Sequence, residues 1–465
     1  MKEIIRPIAI KEIKSADNGK NLLKKQTLQI GLAEKYTTVF EDGDYVILDF
    51  GKEMCGGVRI LTHYARSAKM RLRFGESLTE CCSDIGGEKN ATNDHAVRDF
   101  EVALPFYSDM TFGNTGFRFL RVDFYGHARV KTIVAVNKIV KKTPCFVYNG
   151  KDERIREIYE VAKRTVDLCA AEGYVWDGVK RDRLVWVGDM HPEMLALTTL
   201  YGRFPVLEKS LDFSKKQTPL PGWMNNFPTY SMWWIIIQAD YYQKTKAKEY
   251  IAKQIDYMDK LVEQMDGCVK EDGTLNYPAY FVDWPTREQP DEEHGVRAIN
   301  IMAIQKAIAL LEEFGRDTTV AKGLLSRLMK KEILPKTAKQ VVGLKYFAVG
   351  ISEEDKKMLV EGNAKGMSTF MSYYVLKAVA SFNKEKAIEM MKEYYGAMLD
   401  KGATTFWEDF DMAWVENSCC IDEYPKAGER DIHGDFGAFC YKGYRHSLCH
   451  GWSAGVLQFI QEECN

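Results

Sequence analysis

The strongest constraint on the fold is a change in the period of the hydrophobic pattern near residue 148. Before that position, short segments alternate apolar and polar residues, which is the two-residue period of half-buried β-strands. After it, apolar residues recur every three to four positions, which is the stripe of an amphipathic helix. The change predicts a β domain over residues 1–147 and an α-helical domain over residues 148–465.

The β domain is expected to be an antiparallel β-sandwich. Segments rich in β-branched and aromatic residues recur along it, and glycine-bearing turns at 41–44 and 55–57 lie between them. Many short strands separated by turns are typical of this architecture. The predicted strands cover residues 45–50, 58–62, 70–74, 117–124 and 132–136.

The helical domain is expected to form an (α/α)6 barrel. Its loops gather Trp, Asp, Gly and Pro, and in such a barrel the loops at one end of the ring build a pocket. The count of ten to twelve helices fits this outline, although no repeat of fixed period is present. The predicted helices cover residues 153–171, 231–244, 249–265, 297–314, 318–330, 368–382, 384–399 and 453–460, and the predicted loops cover 174–189, 219–230, 276–290 and 401–443.

Charge and composition favour a small-molecule partner. The 64 basic residues nearly balance the 66 acidic ones, so there is no electrostatic argument for a nucleic acid or a membrane surface. No apolar run reaches the ~18 residues of a membrane span, and the N-terminus lacks the apolar core of a secretory leader. Eleven scattered cysteines predict a reduced, cytoplasmic protein, and the sequence leaves its oligomeric state open.

The densest candidate site is the segment 176–189 (WDGVKRDRLVWVGD). Asp177, Asp182 and Asp189 lie there among three cations and beside Trp176 and Trp186. Carboxyl groups near cations and aromatic walls can have separated pKa values, and the tryptophans suit stacking on a sugar ring. An alternative interpretation makes Asp189 a helix N-cap ahead of a proline in the first turn, the other charges being surface ion pairs.

Two further loops carry acids beside aromatic residues. Glu408 follows Trp407 in a segment of poor helix propensity, where it is a candidate base or sugar ligand. Asp283 and Trp284 lie on a predicted loop before a helix. The alternative for the first pair is a solvated loop acid with Trp407 in the core.

Metal and nucleotide chemistry have little support. His446 and His450 are four residues apart, so in a helix they would share a face and could bind a metal together with Cys449 or Cys440, but no C-x-x-C pair accompanies them. No P-loop, G-x-G-x-x-G after a strand, or G-x-S-x-G is present. The sequence therefore predicts no cofactor, and paired acids with aromatic residues remain as the inventory of a glycoside-processing site.

These segments together resemble the bacterial α-L-rhamnosidases of glycoside hydrolase family 78. Segment 177–189 is similar to the signature of that family, and 283–284, 401–408 (KGATTFWE) and 447–452 (SLCHGW) follow in the order it uses. The resemblance covers about residues 40–462. In the β domain, the segments similar to the accessory sandwich of the family are 49–51 (DFG), 74–78 (FGESL), 90–95 (NATNDH) and 116–119 (GFRF).

The resemblance implies an inverting, exo-acting glycosidase that releases α-L-rhamnose from small rhamnosides or oligosaccharides. Asp182 would be the general acid, and Glu408 the base that activates water on the opposite face of the sugar. The substrate-binding residues it implies are Asp177, Arg181, Trp186, Asp189, Asp283, Trp284, Trp407 and His450.

The sequence departs from the family at the acid, where many members have glutamate and this chain has Asp182. Asp177 and Asp189 are the fallback candidates for that role. Two other hypotheses stay open. The first is a related barrel enzyme that acts on an unsaturated uronide or an α-L-fucoside; a uronide would require a cation in the pocket, which Arg181, Arg183 or Arg287 could supply. The second is a non-catalytic sugar-binding relative.

Overall fold

The computed structural model describes residues 2–86, 89 and 98–465. Within them, the N-terminal region forms one curled antiparallel sheet with the strand order β1-β6-β4-β2, and β3 pairs with β6 while β5 pairs with β4. A short helix, α1 (Leu78–Cys82), follows β4. The strands are β1 (Lys2–Ile5), β2 (Ala9–Lys14), β3 (Thr38–Phe40), β4 (Tyr45–Gly75), β5 (Asp99–Ala103) and β6 (Ser108–Lys138).

The sheet folds over itself because β4 and β6 are both long and pair with each other more than once. Val122 of β6 lies between Val46 and Leu72, which belong to opposite ends of β4. Apolar side chains from both strands, including Phe74 and Phe117, fill the space between the layers. This arrangement confirms the predicted antiparallel sandwich.

The predicted strand boundaries in this region need correction. All five predicted strands lie inside β4 or β6, so bends within two strands replace several of the expected turns. The glycines at 56 and 57 interrupt the register of β4 and do not end it, and a Cβ on Gly56 would lie 2.1 Å from the carbonyl oxygen of Val136. The turn at 41–44 is confirmed by a hydrogen bond from the Asp44 amide to the Glu41 carbonyl at 3.0 Å. The segment 90–95 lies outside the described residues.

The rest of the chain is helical, and thirteen α-helices lie within the described residues 148–465. The predicted boundary at 147 falls between the end of β6 and the start of α2. The helices are α2 (Glu153–Cys169), α3 (Met190–Tyr201), α4 (Pro205–Gln217), α5 (Pro228–Thr245), α6 (Lys248–Ala252), α7 (Ile255–Asp266), α8 (Glu292–Glu313), α9 (Thr319–Leu328), α10 (Lys339–Val349), α11 (Glu353–Val360), α12 (Ser372–Ala380), α13 (Lys384–Asp400) and α14 (Val456–Glu463).

Six of these helices close into an inner ring. Each packs against the next, and α14 returns to α3, in the order α3, α5, α8, α10, α12 and α14. Every residue of α3 is buried, as a helix surrounded by others requires. The outer helices bury one face only, as α2 does with Ile155, Ile158, Ala162 and Val166. Outer and inner helices alternate along the chain, which confirms the (α/α)6 barrel.

The hydrophobic stripe identifies some helices and misses others. The predicted helix over 249–265 is divided into α6 and α7, and α4, α10 and α11 were not predicted. The helix α3 was anticipated only in the alternative that made Asp189 a helix cap. In α4, Ser210 and Ser214 occupy buried positions and interrupt the apolar stripe, while α11 has only eight residues. Among the described residues, no helix combines the length and apolarity that crossing a membrane requires.

Candidate active site

A cavity opens at the end of the barrel where the inner helices begin. Asp189 immediately precedes α3, Tyr230 lies in the first turn of α5, and Trp452 precedes α14. The connecting loops therefore build the walls, as the sequence predicts. Eight of the predicted site residues line this cavity: Asp177, Arg181, Asp182, Trp186, Asp189, Trp284, Glu408 and His450.

The loop before α3 is closed by Asp177. Its Oδ1 accepts a hydrogen bond from the Leu184 amide at 2.8 Å, and its own amide donates to the Leu184 carbonyl at 3.2 Å. The turn between them places Asp182 and Arg183 in the left-handed region, with φ of 55° and 52°. This turn directs the side chains of Arg181 and Asp182 into the cavity.

Arg181 joins the two predicted catalytic carboxylates. Its Nη1 donates to Asp182 Oδ2 at 3.1 Å, and its Nη2 donates to Glu408 Oε1. The guanidinium is 5% exposed and also lies over the ring of Tyr441. Residues more than two hundred positions apart in sequence therefore meet on one buried cation.

Glu408 is fixed from several sides. Its Oε2 accepts a hydrogen bond from the Ser447 amide at 3.1 Å, and its carbonyl accepts from Thr369 Oγ1 at 2.5 Å and Trp452 Nε1 at 2.9 Å. Burial alone would raise the pKa of Glu408, but the charges of Arg181 and His450 hold it below its ordinary value. The side chain is thus kept ionised, as a general base requires.

Two neighbouring carboxyl groups have pKa values that are raised and not lowered. Burial, together with the charges of Asp189 and Asp182, raises the pKa of Asp177 well above its ordinary value. Burial also raises the pKa of Asp189, against the opposing effect of the hydrogen bond with His450. The cavity therefore holds carboxyl groups whose pKa values are pushed apart, which is the arrangement that acid–base catalysis uses.

The alternative interpretation of Asp189 as a helix cap is wrong. The residue occupies the N-cap position of α3, but its side chain makes no capping hydrogen bond. Instead, Oδ1 accepts from the Tyr230 hydroxyl at 3.2 Å, and Oδ2 lies 3.1 Å from His450 Nε2. Its carboxyl group faces the cavity.

Asp283 and Trp407 do not line the cavity, so their predicted direct contact with a sugar has no support from their positions. Asp283 accepts hydrogen bonds from Thr286 Oγ1 at 2.5 Å and Ser368 Oγ at 2.7 Å, which fixes the loop that carries Trp284. Trp407 is fully buried and packs edge-on against Phe410. The alternative that placed Trp407 in the core is confirmed, although the adjacent Glu408 is not a solvated loop acid.

The histidine pair does not form a metal site. His446 Nε2 accepts a hydrogen bond from the Asp409 amide at 2.9 Å, whereas His450 faces Asp189. Elsewhere in the described residues, Glu76, Glu80 and His433 lie close enough together to hold a cation. The ammonium of Lys180 lies 3.0, 3.3 and 3.4 Å from them, so the protein's own cation already contacts all three side chains.

Several residues of the cavity wall, most of which are aromatic, were not predicted from the sequence. The signal for them was present, because five lie in the aromatic-rich loops predicted over 219–230, 276–290 and 401–443, and one ends the segment 447–452. They are Phe227, Tyr230, Phe281, Cys440, Tyr441 and Trp452.

The fold is shared with solved structures of other proteins. No family model and no curated protein matches the sequence. The structure of a rhamnosidase from Klebsiella oxytoca with rhamnose bound matches with a TM-score of 0.76 at 19% identity, over 100% of this chain and 96% of that one.

Two larger proteins match over a part of their length. A GH78 family rhamnosidase of Bacillus sp. GL1 gives a TM-score of 0.71 at 18% identity, over 95% of this chain and 48% of that one. An α-L-rhamnosidase of Streptomyces avermitilis complexed with L-rhamnose gives 0.67 at 14% identity, over 90% and 42%. This chain thus spans about half the length of those two proteins. The sandwich followed by the barrel is the fold of the GH78 α-L-rhamnosidases.

Proposed function

We propose that the protein is an exo-acting, inverting α-L-rhamnosidase that acts on small rhamnosides or oligosaccharides without a cofactor. The observation that carries the proposal is the cavity in which Asp182 and Glu408 contact the same guanidinium between aromatic walls. The fold shared with rhamnosidases supports the choice of sugar.

In this proposal, Glu408 is the general base. Its lowered pKa keeps the carboxylate available to take a proton from water at neutral pH. The hydrogen bond from the Ser447 amide occupies Oε2 and fixes the orientation of the carboxylate. In an inverting enzyme, this water attacks the anomeric carbon while an acid on the other face protonates the leaving oxygen.

Asp182 is the proposed general acid. Its side chain is 17% exposed at the tip of the loop, whereas Asp177 is buried beneath and occupied by the Leu184 amide. A leaving group that departs towards solvent therefore reaches Asp182 first. The raised pKa of Asp177 keeps that residue as the alternative acid.

The sugar-facing walls would be supplied by Trp186, Trp284 and Trp452. Aromatic faces stack on the apolar side of a pyranose, and the polar atoms of Asp189 and His450 are placed to bind hydroxyl groups. A uronide substrate would need a cation for its carboxylate, and Arg181 is already engaged by Asp182 and Glu408. This favours a neutral sugar.

The decisive experiment is proton NMR of the purified protein with 4-nitrophenyl α-L-rhamnopyranoside, following the anomer released first. Initial β-rhamnose is the expected result, since inversion at the anomeric carbon converts α to β. Initial α-rhamnose would contradict the division into acid and base. Absence of release would be followed by a panel of fucosides and an unsaturated uronide, and by calorimetry with L-rhamnose to identify a binding protein.

A further inference from the structure

A cluster of buried charges lies where the β region meets the barrel. Glu76 directly follows β4, Glu80 lies in α1, and the ammonium of Lys180 from the cavity loop lies 3.0 Å from Glu76 and 3.3 Å from Glu80. All three side chains are at most 1% exposed. Lys180 Nζ also donates to the carbonyls of Tyr444 at 2.7 Å and His446 at 2.6 Å.

Glu76 extends from this cluster to the segment that holds Glu408. Its Oε2 accepts a hydrogen bond from the Leu448 amide at 2.6 Å, and its Oε1 accepts from Ser447 Oγ at 3.3 Å. Ser447 is the residue whose amide donates to Glu408 Oε2 and whose carbonyl accepts from the Glu408 amide at 2.9 Å. A single residue therefore separates Glu76 from the proposed base.

We propose that Glu76 of the β region is a positioning residue for Glu408, acting through Ser447 and Leu448. The inference rests on the function proposed above. By holding the 447–448 backbone, Glu76 keeps the Ser447 N–H directed at Glu408, and a hydrogen bond to a carboxylate favours its ionised form. The β region thereby completes the site in the barrel.

Other charged groups face Glu76 and Glu408. Glu76 is also faced by Glu80, Glu53 and Lys180. Glu408 is faced by Arg181, His450 and His446, and Asp409 is its neighbour in the chain. The control for an effect of Glu76 on Glu408 is therefore a variant that changes the charge cluster at a residue with no contact to Ser447 or Leu448.

The test compares Glu76→Asp with Glu80→Asp. Both keep a carboxyl group and shorten the side chain by one methylene group, but only the first withdraws that group from the 447–448 segment. We expect Glu76→Asp to lower kcat at least 10-fold with little change in KM, and to move the acidic limb of the kcat profile to higher pH by about half a unit to one unit. Glu80→Asp should change neither quantity by more than about 2-fold or 0.2 unit.

A conservative replacement separates positioning from folding. In Glu76→Gln, the amide oxygen can accept from Leu448 and the amide NH2 can donate to Ser447 Oγ, so we expect kcat within about 3-fold of the unchanged protein. Should Glu76→Asp fail to fold, Ser447→Ala removes one of the two contacts and leaves the charge cluster intact. It should lower kcat in the same direction by a smaller factor. Equal losses in Glu76→Asp and Glu80→Asp without a shift of the acidic limb would overturn the proposal.

The pKa of Glu408 can also be measured without turnover. Carbon-13 NMR of protein labelled at the glutamate carboxyl carbons, with the Glu408 signal assigned from Glu408→Gln, follows its titration directly. We expect the pKa of Glu408 to rise in Glu76→Asp and to stay unchanged in Glu80→Asp. An unchanged value in both would refute the positioning role, even in a protein that releases rhamnose. A rise in the first alone would support that role, even if the substrate is another sugar.

Discussion

The two sides of the cavity hold their carboxyl groups in different ways. Glu408 is 1% exposed and is bound by donors from three separate segments, which contain Arg181, Thr369 and residues 447–452. Asp182 is 17% exposed and lies on a turn in the left-handed region, where it accepts a hydrogen bond from Arg181. The base is positioned by packing and the acid by a short turn.

This difference predicts which kinetic property a substitution on each side of the cavity should change. On the base side, the surroundings determine the pKa of Glu408, so changes there should alter the dependence of the rate on pH. On the acid side, the side chain meets the leaving group, so changes there should alter the dependence of the rate on that group. Three catalytic predictions test this division, and a fourth concerns stability.

The largest effect is expected for Glu408→Gln. The amide has nearly the same shape but cannot take a proton from water, so kcat for 4-nitrophenyl α-L-rhamnoside should fall by ~10³-fold or more. Circular dichroism and calorimetric binding of L-rhamnose serve as controls for the fold and the pocket. A kcat within about 10-fold of the unchanged protein would remove Glu408 from the role of base.

Asp182→Asn should show a loss that depends on the leaving group. Methyl α-L-rhamnoside has a basic leaving group that needs protonation, and we expect its kcat/KM to fall by ~10²-fold to 10³-fold. The 4-nitrophenolate leaves readily, so the loss with that substrate should be at least 10 times smaller. Asp177→Asn is the matched comparison, and if it shows this pattern in place of Asp182→Asn, the acid is Asp177.

His450→Gln should have a smaller effect confined to low pH. His450 Nδ1 lies 3.9 Å from Glu408 Oε1, and its charge helps to lower the pKa of that carboxyl group. Without it, the pKa of Glu408 should rise, the acidic limb of the kcat profile should move up by about half a unit, and kcat at pH 5 should fall about 3-fold. His127→Gln, at a histidine of the β region that pairs with Glu41 and does not line the cavity, is the control. An unchanged limb in His450→Gln would contradict the electrostatic role.

How much of the fold could be predicted from the sequence depends on whether a feature reflects local geometry. The sandwich and the barrel follow from the periods of the hydrophobic pattern, which reflect local geometry. The extents of β4 and β6 do not follow from this pattern, because a strand that bends at Gly56 has the same local pattern as two strands separated by a turn. Likewise, α10 buries both its faces and shows no stripe.

For the candidate site, the sequence identifies residues that carry chemistry but not where their side chains point. Asp283 and Trp407 lie beside Trp284 and Glu408 in the chain, yet neither lines the cavity. Asp283 accepts a hydrogen bond from Thr286, and Trp407 packs against Phe410 in the core. Glu76 lies in the segment 74–78 that resembles the accessory sandwich of the family, but nothing in that segment predicts a contact with the barrel. Its place beside the 447–448 backbone depends on how the β region packs against the barrel, which no local period encodes.

The smallest effect concerns stability and uses Glu193, in the first turn of α3. Neither of its carboxylate oxygens has a hydrogen-bond partner among the described residues, and the side chain is fully buried against Gly451. Burial, with the charges of Asp189 and Asp177, raises the pKa of Glu193 well above its ordinary value. The folded protein therefore binds this proton more tightly than the unfolded chain does.

A raised pKa gives stability that is present below the unfolded pKa, which is about 4.5, and that is lost as the pH rises through the folded value. Glu193→Gln carries no proton to lose, so its Tm relative to the unchanged protein should be higher at pH 8 than at pH 5, by about 2 to 5 °C. The exposed Glu160→Gln should show the same difference at both pH values, as calorimetry can measure. A relative Tm of Glu193→Gln that is the same at pH 5 and pH 8 would mean that Glu193 is already ionised in the folded protein at pH 5, as it is in the unfolded chain. The contrast between an ionised Glu408 and its protonated neighbours would then fail at this position.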